Sequence, residues 1–172
     1  MPMITPGQPF PELDVPMTDG SRTPLIANET PMTMIDVYRG LHCPRCKDHL
    51  GEIAEKHQAF KDAGITVVAL STDPKDRAEQ AVSEWGIDAL RVGYALSIDD
   101  ARRIGLAISQ SIREGETDQF AEPGVFFVQA DGTLYGSIVQ TFPFARPKVD
   151  DLIEVGQVVR DRGYPPRGTL AA

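Results

Sequence analysis

The stretch "VYRGLHCPRC", residues 37–46, holds both cysteines of a 172-residue chain, three positions apart with Pro44 directly after the first. Ahead of it, "MTMIDVY" (32–38) has the length and composition of a strand. Behind it, Leu50, Ile53, Ala54, His57 and Phe60 recur on one face of an amphipathic helix that Gly64 terminates. The cysteines therefore fall where a strand ends and a helix begins. A cysteine there lies beside backbone N–H groups with no intrahelical partner and at the positive end of the helix dipole, and both favour thiolate over thiol. Cys43 takes that place. Cys46 follows one turn later, at a separation a disulfide bridges. Pro44 suits the first turn, where its missing N–H would have had no partner, and Arg45 adds positive charge.

Further out, "ITVVALS" (65–71) is a continuous apolar run, as expected of a strand covered on both faces. "DPKDRAEQAVSEWG" opens with an Asp cap and Pro at the first helical position and closes on Gly86, marking a second helix. A short strand is expected near Val92, then a helix capped by Ser97 with Asp100 and running to about Leu106. "SQSIREGETDQFAE" (109–122) is polar without period and reads as a loop. "PGVFFVQADGTLYGSIV" gives two apolar runs around an Asp-Gly turn, a hairpin signal. From Pro147 to Arg162 acids precede arginines, the order a helix dipole favours. At the amino end, "MTDGSRTPL" reads as a turn between two extended pieces, a covering hairpin. The alternation predicts an α/β fold, a central mixed β-sheet flanked by helices with an N-terminal extended hairpin. One domain over 1–172 is expected, with an extended segment 1–31 and a Pro/Gly-rich tail 163–172.

A net charge of −8, with no Lys/Arg cluster to relieve it, argues against a nucleic-acid partner. No apolar run approaches membrane-spanning length, and the amino terminus lacks the basic and apolar regions of a secretory signal, so the expectation is a soluble cytoplasmic protein. In that compartment a lone close pair of cysteines is catalytic, redox-sensing or metal-binding more often than a structural staple, which over so small a loop would contribute little. His42 and His49 flank the pair, which raises zinc as an alternative. Cys43 and His49, six residues apart on a helix, point to different sides, and no second cysteine pair completes a ligand set. Haem attachment fails because Lys47 follows Cys46. His57, on the apolar helix face, reads as a packed histidine. The residues point to a redox-active Cys-x-x-Cys with no metal or other cofactor, Cys43 as nucleophile and Cys46 as its resolving partner.

Strand, Cys-Pro-x-Cys, helix, strand, helix, then Pro123 ahead of an Asp-Gly hairpin: the chain resembles the thioredoxin-fold superfamily over nearly all its length. "VYRGLHCPRC" and "EPGVFFVQADGTLYG" together resemble the peroxiredoxin-like redoxins, the alkyl hydroperoxide reductase and thiol-specific antioxidant group. The resemblance implies a thioredoxin-like fold, Cys43 as the reactive cysteine, and a cis Pro123 facing it, which would expose the Glu122 backbone to an extended substrate. Loop 109–122 should then border the site. This chain departs from the group's pattern at two points. Gly40 stands where a Thr or Ser is usual, and "AEPG" offers Glu122 where an arginine is expected. Arg39 is the substitute donor on one reading and ordinary surface on another. Asp36 could accept a proton from Cys46; it lies seven residues before Cys43 where thioredoxin's aspartate lies six before, and one residue along a strand reverses the face.

Three functions follow. The first is a thiol peroxidase in which Cys43 attacks the peroxide and Cys46 closes a disulfide, reopened by a thioredoxin, a glutaredoxin or a low-molecular-weight thiol. The second is a thioredoxin-type thiol-disulfide oxidoreductase acting on protein disulfides. The third is a non-catalytic redox-sensing or partner-binding scaffold. A homodimer is a further expectation.

Overall fold

The computed structural model describes residues 4–21 and 24–170. In chain order the elements are β1 (Met32–Val37), α1 (Pro44–Glu55), α2 (His57–Asp62), β2 (Ile65–Leu70), α3 (Lys75–Trp85), β3 (Arg91–Gly93), α4 (Ile98–Arg103), β4 (Ile108–Gln110), β5 (Gln119–Ala121), β6 (Gly124–Gln129), β7 (Leu134–Val139) and α5 (Val149–Arg162). Five strands form one mixed sheet in the order β3-β2-β1-β6-β7. The β1–β2 and β2–β3 pairs are parallel; β6 runs antiparallel to both β1 and β7. The fold is therefore the mixed α/β sheet flanked by helices that the element alternation predicts.

β1 sits at the centre and is buried at every position. With both faces covered there is no apolar–polar alternation to read, yet the pleat still sorts its side chains. Met32 and Met34 join the apolar cluster that includes Leu50 and Ile53 of α1 and Leu152 of α5. Ile35 and Val37 join the opposite cluster, with Phe10 of the amino-terminal segment, Ile104 and Phe126. Asp36, in phase with Met32 and Met34, thus belongs to the face that α1 covers.

The predicted helix after the cysteines is two: α1 ends at Glu55, Lys56 takes a non-helical conformation, and α2 continues to Asp62. On α1 the buried residues Cys46, His49, Leu50, Ile53 and Ala54 recur at helical spacing. Segment 109–122, expected as a loop, instead begins and ends in a second, two-stranded antiparallel sheet of β4 and β5. Each strand is three residues long, too short for a periodic signal, and the hairpin is anchored where Phe120 and Ala121 are buried beside a charged tip in which Arg113 pairs with Glu116 at 3.0 Å.

The amino-terminal segment turns at Met17–Gly20, where the Gly20 N–H donates to the Met17 carbonyl at 3.0 Å. Arg22 and Thr23, part of the expected turn, lie outside the described residues. Pro9 bridges Thr133 and Met17 bridges Gly93, so this segment reaches both edges of the five-stranded sheet.

The predicted Asp cap of α3 is not made. Asp73 turns its carboxylate toward the turn ahead of Cys43, where Oδ2 accepts the Leu41 N–H at 2.7 Å and Oδ1 meets Arg77 Nε at 3.1 Å. Gly40, at φ +132°, makes that approach possible: a Cβ there would lie 2.8 Å from Asp73 Oδ1.

Candidate active site

The β1–α1 turn delivers Cys43 to the N-cap of α1, with Pro44 in the first turn. Its Sγ accepts the Cys46 backbone N–H at 3.3 Å and the Cys46 thiol at 2.7 Å. Both thiols are free and buried, at 2% and 1% exposure. The sulfurs are electrically unequal. The hydrogen bond from the Cys46 thiol, with further help from the Cys46 N–H, Arg146 and Arg39, outweighs burial and holds the Cys43 thiol down at about 6. For Cys46 burial comes first, the hydrogen bond to Cys43 adds to it, and its thiol is pushed well above the ordinary range. One sulfur is set up as the thiolate and the other as the proton-bearing thiol.

A residue with no mark in the sequence adds to the charge at the sulfurs. Arg146, on the 140–148 segment between β7 and α5, places Nη2 3.0 Å from Cys46 Sγ and 3.5 Å from Cys43 Sγ. Its Nη1 donates to the carbonyls of Pro143 and Ala145, fixing the guanidinium from behind. Burial disfavours its charge, but the two sulfurs and Asp36 stabilise it more, so it stays a cation. An arginine 103 positions beyond Cys43 thus stands at the sulfurs, where the sequence shows only a lone Arg between prolines.

Arg39 lies elsewhere. Its Nε approaches Glu122 Oε2 at 3.1 Å, without the alignment of a true hydrogen bond, so the contact is ionic. Its guanidinium carbon lies 4.8 Å from the centre of the Phe120 ring. Glu122 also accepts from Ser109 Oγ at 2.5 Å. Asp36 is buried and takes His49 Nε2 at 2.9 Å; a solvated strand face is excluded. His49, weighed in the sequence only as a metal ligand, is held by this carboxylate. His42 packs against Phe120 at 4.7 Å and borders a cavity of about 420 Å³ with Leu41, Arg77 and Arg113. His57 is half-buried against the Ala54 carbonyl.

Pro123 does not fulfil its expectation. No cis peptide bond occurs among the described residues, so the Glu122–Pro123 bond is trans. The Glu122 N–H is donated to the Ala107 carbonyl at 2.8 Å and the Pro123 carbonyl accepts from Gln140 at 3.2 Å. The backbone that a cis bond would have offered to an extended substrate is engaged within the fold.

The profile of the AhpC/TSA family matches residues 6–137, most of the chain. The protein belongs to the AhpC/TSA family. No curated protein sequence matches significantly. Among solved structures the chain is similar to a peroxiredoxin-like protein from Aquifex aeolicus, at TM-score 0.75 and 16% identity over 91% of this chain and 88% of that one. It is similar also to the peroxidoxin BcpB from Mycobacterium tuberculosis, at TM-score 0.71 and 16% identity over 92% and 99% of the two chains. Enterococcus faecalis AhpC superimposes at TM-score 0.72 and 16% identity over 94% and 98%. These likenesses show the fold, the thioredoxin-like arrangement of peroxiredoxins, and AhpC/TSA membership supports a thiol-dependent oxidoreductase. Among the described residues no helix is long and apolar enough to cross a membrane. Nor does any group of three or more His, Cys, Asp or Glu side chains among them stand together as metal ligands.

Proposed function

We propose that this AhpC/TSA protein is a thiol peroxidase of the cytoplasm, working through a Cys43–Cys46 disulfide without a metal. The observation that carries the reading is the cation at the sulfurs: Arg146 Nη2 reaches both, beside a Cys43 whose thiol is held at about 6. The Cys43 thiolate attacks the O–O bond; a Cys43 S–O bond forms, the O–O bond breaks, and the departing oxygen leaves as an alcohol or water on taking a proton. Arg146 supports the negative charge that passes from sulfur to oxygen. Cys46 then attacks the sulfenic acid, its sulfur already 2.7 Å away, and a second water departs as the disulfide closes. A thioredoxin, a glutaredoxin or a small thiol reopens it.

Arg39 is a positioning group here, its charge taken by Glu122, and Gly40 gives close passage beside Asp73 in place of a peroxide-binding hydroxyl. The five-stranded sheet and the extent of the family match support one domain over residues 1–172. The thioredoxin-type alternative keeps the helix-start Cys-x-x-Cys in its favour, but the trans Pro123 and the engaged Glu122 N–H remove the docking edge it needs. Stopped-flow oxidation by hydrogen peroxide and an organic hydroperoxide, run beside insulin reduction, tests the proposal. Fast peroxide oxidation with negligible insulin reduction supports it; the converse overturns it in favour of disulfide exchange.

A further inference from the structure

Behind the cysteines two ionisable side chains meet in the interior, and a third, half-buried, lies against the sulfurs. Asp36 from β1 holds His49 Nε2 at 2.9 Å, the two side chains being 4% and 5% exposed. His49 follows Cys46 by three positions on the buried face of α1, so the two are neighbours on that face. Arg146 lies against both sulfurs and feels the Asp36 charge. The reaction proposed above uses the sulfurs and Arg146; the buried acid–imidazole pair has no part in it.

Charge counting gives the pair one. With Cys43 as thiolate, Arg146 positive and Asp36 negative, the group carries one uncompensated negative charge if His49 is neutral and none if His49 is protonated. With the two sulfurs joined in a disulfide the thiolate charge is gone, and the group is neutral only if His49 is neutral. An uncompensated charge in the interior is costly, so each redox state selects a protonation state.

The other groups near α1 leave this count unchanged: burial, with Arg39, pulls His42 down and keeps it uncharged, and Arg45, Lys47, Asp48, Glu52 and Glu55 of α1 are exposed. Arg39 and Glu122 neutralise each other at 3.1 Å. Burial pushes the Tyr38 hydroxyl and the Cys46 thiol up, keeping both uncharged. On α2, Lys61 and Asp62 are exposed and His57 is bonded to a backbone carbonyl. The charged side chains of α3 and α5 are exposed, apart from Arg77, which Asp73 neutralises.

We propose that His49 is a redox-linked proton carrier, protonated while Cys43 is a thiolate and neutral once Cys43 and Cys46 form a disulfide, with Asp36 holding its ring in place. The chemistry balances. When a dithiol reduces the disulfide, the Cys43–Cys46 bond breaks, the dithiol closes its own disulfide, and two electrons pass to the protein sulfurs. Of the two protons released, one goes to Cys46 and the other to His49, leaving Cys43 as thiolate. When peroxide reoxidises the site, the His49 proton departs on the alcohol or water formed, and the Cys46 proton departs with the second water. Only the disulfide arm of this inference rests on the peroxidase reading.

The test is the ring 15N spectrum of His49 in the full-length protein at about pH 7, where imidazole readily changes state. Three samples are compared: the reduced protein, the peroxide-oxidised protein with its disulfide verified by mass, and reduced Cys43→Ser. The expected result is imidazolium in the first and neutral imidazole in the other two. The same ring form in all three overturns the proposal. Should peroxide produce no disulfide, the peroxidase reading fails, and the reduced protein against Cys43→Ser still decides the coupling. A proton count adds a readout that a merely structural role would not move. Reduction of the oxidised protein by dithiothreitol in weak buffer should release almost no net proton, and in His49→Asn about one per disulfide. Release of one by the wild type overturns the proposal.

Discussion

The two sides of the cysteine pair each carry a half-buried arginine, and the two arginines stand in opposite electrical circumstances. On one side Arg39 rises from the β1–α1 turn and is matched by Glu122 at 3.1 Å, with the Phe120 ring against its guanidinium. On the other, Arg146 comes from the 140–148 segment and its nearest recorded acceptors are two backbone carbonyls and two sulfurs. A cation whose charge is already taken by a carboxylate fixes geometry, whereas one held by neutral carbonyls has its charge left to give to a thiolate. Their partners make the first chiefly an anchor and the second chiefly an electrostatic effector.

The largest effect tests the ground on which both arginines act. Cys43→Ser should abolish peroxide consumption, while Cys46→Ser should undergo one oxidation and stop, with a single added oxygen on Cys43 seen by mass spectrometry. Full turnover in Cys43→Ser would reverse the assignment of nucleophile.

Arg146→Gln should slow peroxide oxidation at pH 7 by about tenfold or more, chiefly through loss of the cation that supports charge on the departing oxygen, while the Cys43 titration rises only in part because the Cys46 hydrogen bond still holds it down. Arg39→Gln should slow it by less than about threefold and instead lower stability by about 3 kcal/mol in urea unfolding, because it leaves Glu122 buried without its cation. Equal rate effects from the two substitutions would break the contrast.

In the wild type the oxidation rate should rise with pH through about 6 and level off above it, since only the thiolate attacks and its fraction grows as pH passes the lowered value. In Arg146→Gln the same rise should move to higher pH, and in Arg39→Gln it should move the same way by less. The smallest effect is structural. Gly40→Ala should destabilise by about 1–3 kcal/mol, from a positive φ and a side chain pressed against the buried Asp73 carboxylate.

What could be read from the sequence divides along the same line. The strand, the helix start, Cys43 at its cap and Cys46 one turn on are local, and composition, caps and period reveal local structure. Most elements after the site were legible for the same reason, as with the Ser97 cap of α4 and the Asp-Gly hairpin of β6 and β7. The pairings across the site are not local. Nothing near Arg146 announces two sulfurs 103 and 100 residues away, and the Asp36–His49 contact depends on which face of β1 meets α1. The face was ambiguous because β1 is buried on both sides and shows no alternation. Asp73 departs from its expectation for a related reason: its position fits a helix cap, and only the folded chain shows a nearer claim on its carboxylate from the Leu41 N–H. The cis expectation for Pro123 rests on resemblance alone, and in this chain the bond is trans, with the Glu122 N–H and the Pro123 carbonyl engaged within the fold.

The near-complete enclosure of the two sulfurs, at 2% and 1% exposure, makes the site a sieve as well as a nucleophile. A thiolate this covered is reached readily by a slender oxidant, while a bulky alkylating reagent of comparable intrinsic reactivity must wait for the surrounding side chains to part. Discrimination among oxidants is then kinetic and steric, set by the width of the approach rather than by affinity. Substitutions that trim the covering side chains should raise the rate with large reagents more than the rate with hydrogen peroxide.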